Sequence, residues 1–275
     1  MKLSLGFSTC PNDTFIFDAI VNKKIDLQVF DFDIVMADVE QLNKMTINQE
    51  LDIAKISYHT YCYVANNYKI LNSGSALGFG NGPLLVSKRK IYPDEVPYLK
   101  IAIPGVHTTA FLLLRILFNN LHQTKEYLFS EIEKALLDNE VDAGLIIHET
   151  RFTYQSRGLK KIADLGQMWE QRSNLPIPLG GIVIKREFDN NIQTKFDRIL
   201  YNSIQKAIQK PNETYNFVKQ HAQEMDTDIM QQHINLYVNE YSQKLNQQGK
   251  DAILYLLKEA QKIGSIQQLP NEIFV

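Results

Sequence analysis

The stretch Pro176-Ile177-Pro178-Leu179-Gly180-Gly181-Ile182-Val183-Ile184 decides how this chain is divided, because a proline- and glycine-rich segment leads into the apolar strand Gly181–Ile184. The same composition occurs earlier, where Gly80-Asn81-Gly82-Pro83 leads into the apolar strand Leu84–Ser87. A complete α/β segment lies between these two strands. Two chain crossings that bracket such a segment predict two lobes joined by a double-strand hinge, with a ligand site between them.

The first two-thirds of the chain alternate short apolar runs with helix-like segments, which is typical of α/β proteins. Strands are predicted at Leu3–Phe7, Asp33–Ala37, Ile53–Ile56, Leu84–Ser87, Ile101–Ile103, Tyr127–Phe129, Ala143–Ile147 and Gly181–Ile184. Helices are predicted at Asp13–Val21, Val39–Asn48, Thr109–Leu121 and Glu131–Asn139. From Asn190 to Ile263 the segments are rich in glutamine and helix-periodic, so the carboxyl-terminal third is predicted to be helical.

These elements predict an α/β fold with unequal lobes. Residues 1–87 and 185–275 are expected to form the larger lobe, because the carboxyl-terminal helices complete the first α/β segment. Residues 88–184 are expected to form the smaller α/β lobe. The ligand is expected in the cleft between the two lobes.

Composition excludes several classes of protein. The chain has 275 residues, 44% of them hydrophobic and 22% charged, and a net charge of -2 gives no reason to expect a nucleic-acid partner. No stretch reaches the roughly 18 apolar residues of a membrane span. The first residues begin at once with strand-like alternation and show no cleavable leader, so a cytoplasmic location is expected. Cys10 and Cys62 form neither a disulfide framework nor a metal-ligand spacing.

His148 is the first polar residue after the apolar run Ala143–Ile147. That run indicates a buried parallel strand, and open α/β sheets bind their ligands at the carboxyl ends of such strands. A titratable imidazole is therefore predicted at the cleft. The alternative is that His148 caps its strand or bonds a neighbouring backbone group.

Three other connections carry polar groups at predicted strand ends. Ser8–Phe15 leads into a helix that Asn12 or Asp13 is expected to cap, with free N–H groups for a polar or anionic ligand. Cys10 has no base beside it in sequence, so it is interpreted as a semi-buried thiol rather than a nucleophile. Lys55 and Ser57 supply a charge and a hydroxyl, although a surface lysine and a helix-capping serine explain them equally well.

The connection Pro104–Ala110 is the best candidate for binding a carboxylate. Gly105 allows close approach of the backbone, and Thr108 and Thr109 offer hydroxyls and N–H groups at a helix start. No metal-binding histidine pair, dinucleotide-binding glycine motif, P-loop or serine-hydrolase elbow is present in the sequence. The sequence therefore predicts chemistry without a metal or cofactor, or ligand binding alone.

Several motifs together resemble the 1,4-dihydroxy-6-naphthoate synthase family, which acts late in the futalosine route to menaquinone. They are spread over roughly the first 185 residues, and the carboxyl-terminal third carries none. The motifs are Ser8-Thr9-Cys10-Pro11-Asn12-Asp13-Thr14-Phe15, Lys55-Ile56-Ser57-Tyr58, Gly80-Asn81-Gly82-Pro83-Leu84, Pro104-Gly105 with Thr108-Thr109-Ala110, Gly144-Leu145-Ile146-Ile147-His148-Glu149, and Pro178-Leu179-Gly180-Gly181.

The resemblance implies a two-lobe, periplasmic-binding-protein-like (type II) fold that works as an enzyme. The family converts cyclic de-hypoxanthinyl futalosine into 1,4-dihydroxy-6-naphthoate and releases dihydroxyacetone, without a metal or cofactor. On this resemblance His148 is the proton acceptor, with an apparent pKa near that of histidine, about 6–7. The residues expected to bind the carboxylated substrate are Lys55, Ile56, Ser57, Thr108, Thr109, Asn12, Asp13 and Asn81.

Two other functions remain open from the sequence. A chorismate dehydratase of the same pathway has the same fold and binds a carboxylated cyclic substrate, but the motifs around Cys10 and His148 resemble the synthase more closely. A solute-binding protein for a small carboxylate is the alternative without catalysis, because fold alone does not separate binding from chemistry. The sequence also leaves the formation of a homodimer open.

Overall fold

The structure is a computed structural model that describes residues 1–148, 150–222, 226–266 and 268–275. Within these ranges the strands form a six-stranded sheet and a five-stranded sheet. The strands in chain order are β1 (Lys2–Phe7), β2 (Asp31–Met36), β3 (Ile53–Ser57), β4 (Tyr68–Ile70), β5 (Ala76–Gly78), β6 (Leu84–Ser87), β7 (Lys100–Ile103), β8 (Gln123–Glu126), β9 (Ala143–Ile146), β10 (Lys160–Asp164) and β11 (Ile177–Lys185).

The helices lie between the strands in the first part of the chain and follow one another after β11. They are α1 (Pro11–Val21), α2 (Val39–Ile47), α3 (Tyr58–Val64), α4 (Thr109–Leu117), α5 (Ile132–Leu137), α6 (Thr150–Thr153), α7 (Leu165–Ser173), α8 (Asn190–Gln209), α9 (Tyr215–His221), α10 (Thr227–Tyr237), α11 (Glu240–Gln243) and α12 (Gln247–Lys262). The carboxyl-terminal third is therefore helical, as the sequence predicts. Among the described residues, no helix has both the length and the apolar composition that crossing a membrane requires.

The first sheet has the order β2-β1-β3-β11-β4, and β5 also pairs with β11. Strands β1, β2 and β3 run parallel, whereas β11 is antiparallel to β3. Helix α1 covers this sheet and is buried on all sides between the sheet and the carboxyl-terminal helices, which explains why its sequence is apolar rather than amphipathic. The rings of Phe7 and Phe17 stack here with centroids 4.5 Å apart.

The second sheet has the order β10-β6-β9-β7-β8. Strand β9 is parallel to β7 and antiparallel to β6, so it lies in the middle of the sheet and is buried along its length. Gly144 in β9 lets helix α5 pack closely, because a Cβ at this position would lie 2.6 Å from the Ile132 side chain. Beyond the end of β9, Ile147 and His148 line the cavity.

The chain passes from one sheet to the other at positions that differ from the predicted lobe boundaries. Strand β6 belongs to the second sheet, although it falls within the predicted range 1–87. Strand β11 belongs to the first sheet, although most of it falls within the predicted range 88–184. The pairing partners decide this assignment, and the composition of the strands did not reveal them. The division into two lobes remains a proposal, with its crossings moved to residues 79–83 and 165–176.

Two predicted elements are wrong in position. The strand predicted at Tyr127–Phe129 is absent, because Phe129–Glu131 is a 3₁₀ turn and the strand precedes it as β8. All four residues of β8 are exposed at the sheet edge, so no apolar pattern marks them. The helix predicted at Thr109–Leu121 ends at Leu117, where Phe118 takes an extended conformation.

Candidate active site

One cavity lies between the two sheets, with a volume of about 670 Å³ that includes the space open to solvent. Strand ends and helix starts from both sheets supply its wall. The residues that line it are Ser8, Asn12, Asp13, Val39, Lys55, Ile56, Ser57, Ala76, Asn81, Pro83, Thr108, Thr109, Ala110, Ile147, His148, Leu179, Gly180 and Tyr237. Every residue predicted to act on or bind the substrate is in this set, and the roles of these residues remain predictions.

His148 lies just beyond β9 and has a left-handed backbone conformation, with φ of 57°. A residue other than glycine in this conformation costs about 1–3 kcal/mol, and such strain is concentrated at functional sites. Its Nδ1 lies 3.4 Å from Sγ of Cys10, and the ring of Phe129 contacts it edge-on at 4.8 Å between centroids. Its Nε2 is enclosed and has no hydrogen-bond partner among the described residues.

The electrostatic surroundings keep His148 neutral. Burial lowers the pKa of its imidazole below the ordinary 6.5, and the charge of Lys55 lowers it further. The carboxylates of Asp38 and Asp13 oppose this effect without reversing it. We therefore expect a pKa below the value near 6–7 that the sequence suggested. A neutral imidazole is the form that accepts a proton.

Asp13 and Lys55 form an ion pair inside the cavity wall. Asp13 Oδ1 lies 3.0 Å from Lys55 Nζ, and the two side chains are 3% and 8% exposed. Asp13 Oδ2 accepts a hydrogen bond from Ser8 Oγ at 2.7 Å. Lys55 also donates to the carbonyl of Gly74. Lys55 is thus a buried cation at the cavity, and the alternative that it is a surface lysine is excluded.

Asn12 and Asp13 do not cap helix α1. The N-cap residue is Cys10, and both residues lie in the first turn. Proline at position 11 explains the shift, because it disfavours a helical conformation for Cys10 and is itself well suited to the first helical position. The side chains of Asn12 and Asp13 instead bond each other, with Asn12 Nδ2 donating to Asp13 Oδ1 at 2.8 Å.

His233 of helix α10 lies beneath the site, and no motif in the sequence indicated it. Its Nε2 lies 2.9 Å from Asn12 Oδ1, and because an amide oxygen accepts, His233 donates this bond. Its ring is nearly parallel to that of His148, with centroids 6.0 Å apart. Burial lowers the pKa of His233 well below 6.5, and the nearby His148 and Lys55 act in the same direction. The carboxyl-terminal helices therefore support the site.

The Thr108 and Thr109 hydroxyls are engaged within the protein. Thr108 Oγ1 donates to the Gly105 carbonyl and accepts from the Phe111 amide, so it caps α4. Thr109 Oγ1 donates to the Leu179 carbonyl at 2.6 Å and accepts from a backbone amide of α3. The helix's own ladder begins later, since Leu112 is the first residue whose amide bonds back to Thr108. The amides of Thr109 and Ala110 are therefore the groups that a carboxylate can use at this helix start.

Ser57 and Asn81 offer polar groups toward the cavity. Ser57 is the N-cap residue of α3, yet its side chain makes no cap bond. Asn43, which the sequence did not indicate, accepts from the Ser57 amide through Oδ1 at 3.0 Å and donates through Nδ2 to the Ser57 hydroxyl at 3.3 Å. Asn81 is 1% exposed, and neither atom of its amide has a hydrogen-bond partner among the described residues. An unpaired buried amide is costly.

Among the residues that the structure describes, potential metal ligands do not cluster in the cavity. In the part of the chain that it describes, no three or more His, Cys, Asp and Glu side chains are grouped to hold a metal ion. Cys62 is buried in helix α3 and lies outside the set of cavity residues. Glu149, which follows His148 in the motif, lies outside the described residues.

The comparisons with known proteins agree on the family and the fold. A family model described as menaquinone biosynthesis matches residues 3–262. Proteins of Thermus thermophilus and Streptomyces coelicolor, both named 1,4-dihydroxy-6-naphthoate synthase, are each 38% identical to this chain. The Thermus match covers 99% of this chain and 99% of the relative. The Streptomyces match covers 97% of this chain and 95% of the relative.

Two solved structures show the same architecture. A protein from Archaeoglobus fulgidus is 33% identical, with a TM-score of 0.91 over 96% of this chain and 98% of its own. A Candida albicans protein described as having the generic periplasmic binding protein fold is 13% identical, with a TM-score of 0.70 over 98% of this chain and 92% of its own. The fold is therefore periplasmic-binding-protein-like. The chain belongs to the menaquinone biosynthesis family.

Proposed function

We propose that this chain converts cyclic de-hypoxanthinyl futalosine into 1,4-dihydroxy-6-naphthoate and dihydroxyacetone, with His148 as the general base. The observation that supports the role of His148 is that this residue lines the cavity and that its enclosed Nε2 has no hydrogen-bond partner among the described residues. The names of the two curated relatives support the reaction and favour it over chorismate dehydration.

The chemistry requires a base and a place to hold the substrate. Ring opening with cleavage of a carbon–carbon bond begins with removal of a proton, and a neutral imidazole removes it without a metal or organic cofactor. Burial keeps the pKa of His148 low, so the base is unprotonated at neutral pH. Formation of an aromatic product supplies driving force, and the protein's part is to position the substrate and accept the proton.

The substrate carboxylate is proposed to lie between the start of α4 and Lys55. The amides of Thr109 and Ala110 supply hydrogen bonds, and the positive end of the helix dipole favours an anion there. Lys55 supplies a buried positive charge on the same cavity. Asn81 and the hydroxyl of Ser57 are proposed to bind the polar groups of the remaining ring. Asp13 holds Lys55 in place and Asn12 holds His233, so both residues support the site.

Two polar contacts outside the cavity wall join helix α2 to elements of the second sheet. Glu40 of α2 accepts a hydrogen bond from Nδ1 of His107, the residue just before the α4 cap, at 2.6 Å. Lys44 of the same helix pairs with Glu126 of β8 at 2.7 Å. The two contacts thus connect helix α2, which lies on the side of the first sheet, to the second sheet. We propose that they stabilise a closed form, which excludes water from the reacting substrate.

The test is turnover of cyclic de-hypoxanthinyl futalosine by the purified protein, with both products detected by mass spectrometry in the presence of a chelator. His148→Asn should lower kcat by about 10²–10⁴-fold, the usual contribution of a positioned base, while the substrate Kd changes little. His122→Asn is the matched control, because His122 is exposed and lies outside the cavity. The wild-type rate should fall on the acidic side with an apparent pKa below 6.5, because protonation removes the base.

The outcomes separate the alternatives. A folded His148→Asn protein that retains wild-type kcat would show that the histidine does not act as the base. Tight binding of the substrate without products would favour a solute-binding protein. The assignment to the carbon–carbon lyases and the independence from cofactors depend on this assay. The cytoplasmic location and the formation of a homodimer stay predictions.

A further inference from the structure

We propose that Cys10 is a positioning residue for His148: its sulfur accepts a hydrogen bond from Nδ1–H and thereby leaves the lone pair of the imidazole on Nε2. The inference rests on the proposed function of His148 as a base, and it specifies which nitrogen takes the proton. The residues are far apart in sequence, yet Sγ and Nδ1 are 3.4 Å apart. This is within the range of hydrogen bonds to sulfur.

The backbone around Cys10 fixes the position of this residue. Because Pro11 follows it, Cys10 is extended, with φ of -63° and ψ of 148°. Its amide donates to Ser8 Oγ, and its carbonyl accepts from the amides of Asp13 and Thr14. Cys10 is thereby held at the N-terminal end of α1, where its sulfur lies beside Nδ1 of His148.

The surroundings of His148 require one tautomer for the proposed base. A neutral imidazole has one N–H donor and one acceptor nitrogen, and the bond made by one nitrogen sets the state of the other. If Nδ1 instead accepted a hydrogen bond from the thiol, the neutral ring would carry its proton on Nε2, which could then take no proton from the substrate. With Nδ1–H donated to Cys10, Nε2 is the acceptor nitrogen, and it has no hydrogen-bond partner among the described residues.

The same bond strengthens when the base works. After proton transfer the imidazolium carries N–H on both nitrogens, and a hydrogen bond from a charged donor is stronger than one from a neutral donor. Cys10 therefore stabilises the protonated form of His148 more than the neutral form. The other charged or titratable groups that act on the ring are Asp13 of α1, Lys55 of β3, Asp38 before α2 and His233 of α10.

The first experiment reads the tautomer and needs no substrate. In protein with ¹⁵N-labelled histidine, the ring nitrogens of His148 are assigned by comparison with His148→Asn. We expect a protonated Nδ1 and an unprotonated Nε2 in the wild type near neutral pH. An Nε2–H tautomer would overturn the inference whether or not the protein turns over the proposed substrate. A supporting spectrum stands even if the turnover assay fails, so the two proposals are tested separately.

The second experiment compares Cys10→Ala, Cys10→Ser and the control Cys62→Ala, which removes the other buried thiol away from the cavity. Cys10→Ala should lower kcat about tenfold through loss of one hydrogen bond, and should move the acidic limb of the pH–rate profile to lower pH. Cys10→Ser keeps an acceptor and should recover most of kcat. Wild-type kcat and an unchanged acidic limb in folded Cys10→Ala would contradict the inference. If the alanine variant does not fold, the serine variant and the wild-type spectrum test the inference.

Discussion

Replacement of Asp13 by asparagine is expected to destabilise the protein strongly, because it removes the countercharge of a buried lysine. Lys55 Nζ lies 3.0 Å from Asp13 Oδ1, and both side chains are less than one-tenth exposed. The other carboxylate oxygen accepts from Ser8 Oγ and from the Ser8 amide. Both carboxylate oxygens of Asp13 accept hydrogen bonds, whereas the asparagine amide has only one oxygen. The NH₂ group of the new asparagine must therefore face either Lys55 or Ser8.

The magnitude follows from burial. Breaking a buried ion pair by removal of one partner costs about 3–5 kcal/mol, because the remaining charge is left uncompensated. With a urea m-value of about 2–3 kcal/mol/M for a chain of this size, the midpoint should fall by about 1–2.5 M. Adding Lys55→Met to Asp13→Asn removes the uncompensated charge and should restore much of the loss.

The matched control is Asp33→Asn, which breaks the Lys2–Asp33 pair. That pair is shorter, at 2.7 Å, but its side chains are 65% and 61% exposed. Water screens it, so the urea midpoint should move little. Both variants are unfolded in urea and followed by circular dichroism. If Asp13→Asn shifts the midpoint no more than Asp33→Asn, burial does not make the Asp13–Lys55 pair important, and the reasoning fails.

Two further predictions concern His59 and Asn81. Burial, followed by the charge of Arg115, lowers the pKa of His59 to about 4, so the folded state stays neutral while the unfolded state gains a proton below 6.5. This group alone should reduce the free energy of unfolding by about 3 kcal/mol as pH falls from 6.5 to 4. The free energy of unfolding of His59→Gln should therefore decline less over this range than that of the exposed control His122→Gln. Equal declines in the two variants would contradict this prediction. Asn81→Leu removes an unpaired buried amide, so thermal stability should be kept or raised while the substrate Kd increases about tenfold, and an unchanged Kd would exclude Asn81 from binding.

Local patterns in the sequence predicted the strand ends that build the cavity. The apolar run before His148 forms a buried strand, and so does the short strand that carries Lys55, because a strand buried on both faces is largely apolar in sequence. The glycine and two threonines after Ile103 similarly predicted a helix start at the cavity. These signals come from neighbouring residues, because the residues of a strand themselves determine where it ends.

Contacts between distant segments were not predictable from such patterns. Cys10 has no base beside it in sequence, yet the fold brings it to a histidine 138 residues away. His233 bonds Asn12 across 221 residues, from a helix that carries no motif. The edge strand Gln123–Glu126 escaped detection because its side chains are solvated rather than buried. Each of these features depends on which elements become neighbours, and the local pattern of one element does not contain that information.

The cavity wall contains two kinds of polar group, and their hydrogen bonding separates them. Asp13 and the Thr109 hydroxyl have protein partners, so they hold the site in shape and have little capacity left for a ligand. Nε2 of His148 and the amide of Asn81 have no partner among the described residues, although burial makes an unpaired group costly. A substrate that pairs both groups would recover this cost on binding. Residues of the first kind should therefore affect stability when replaced, and residues of the second kind should affect binding or turnover.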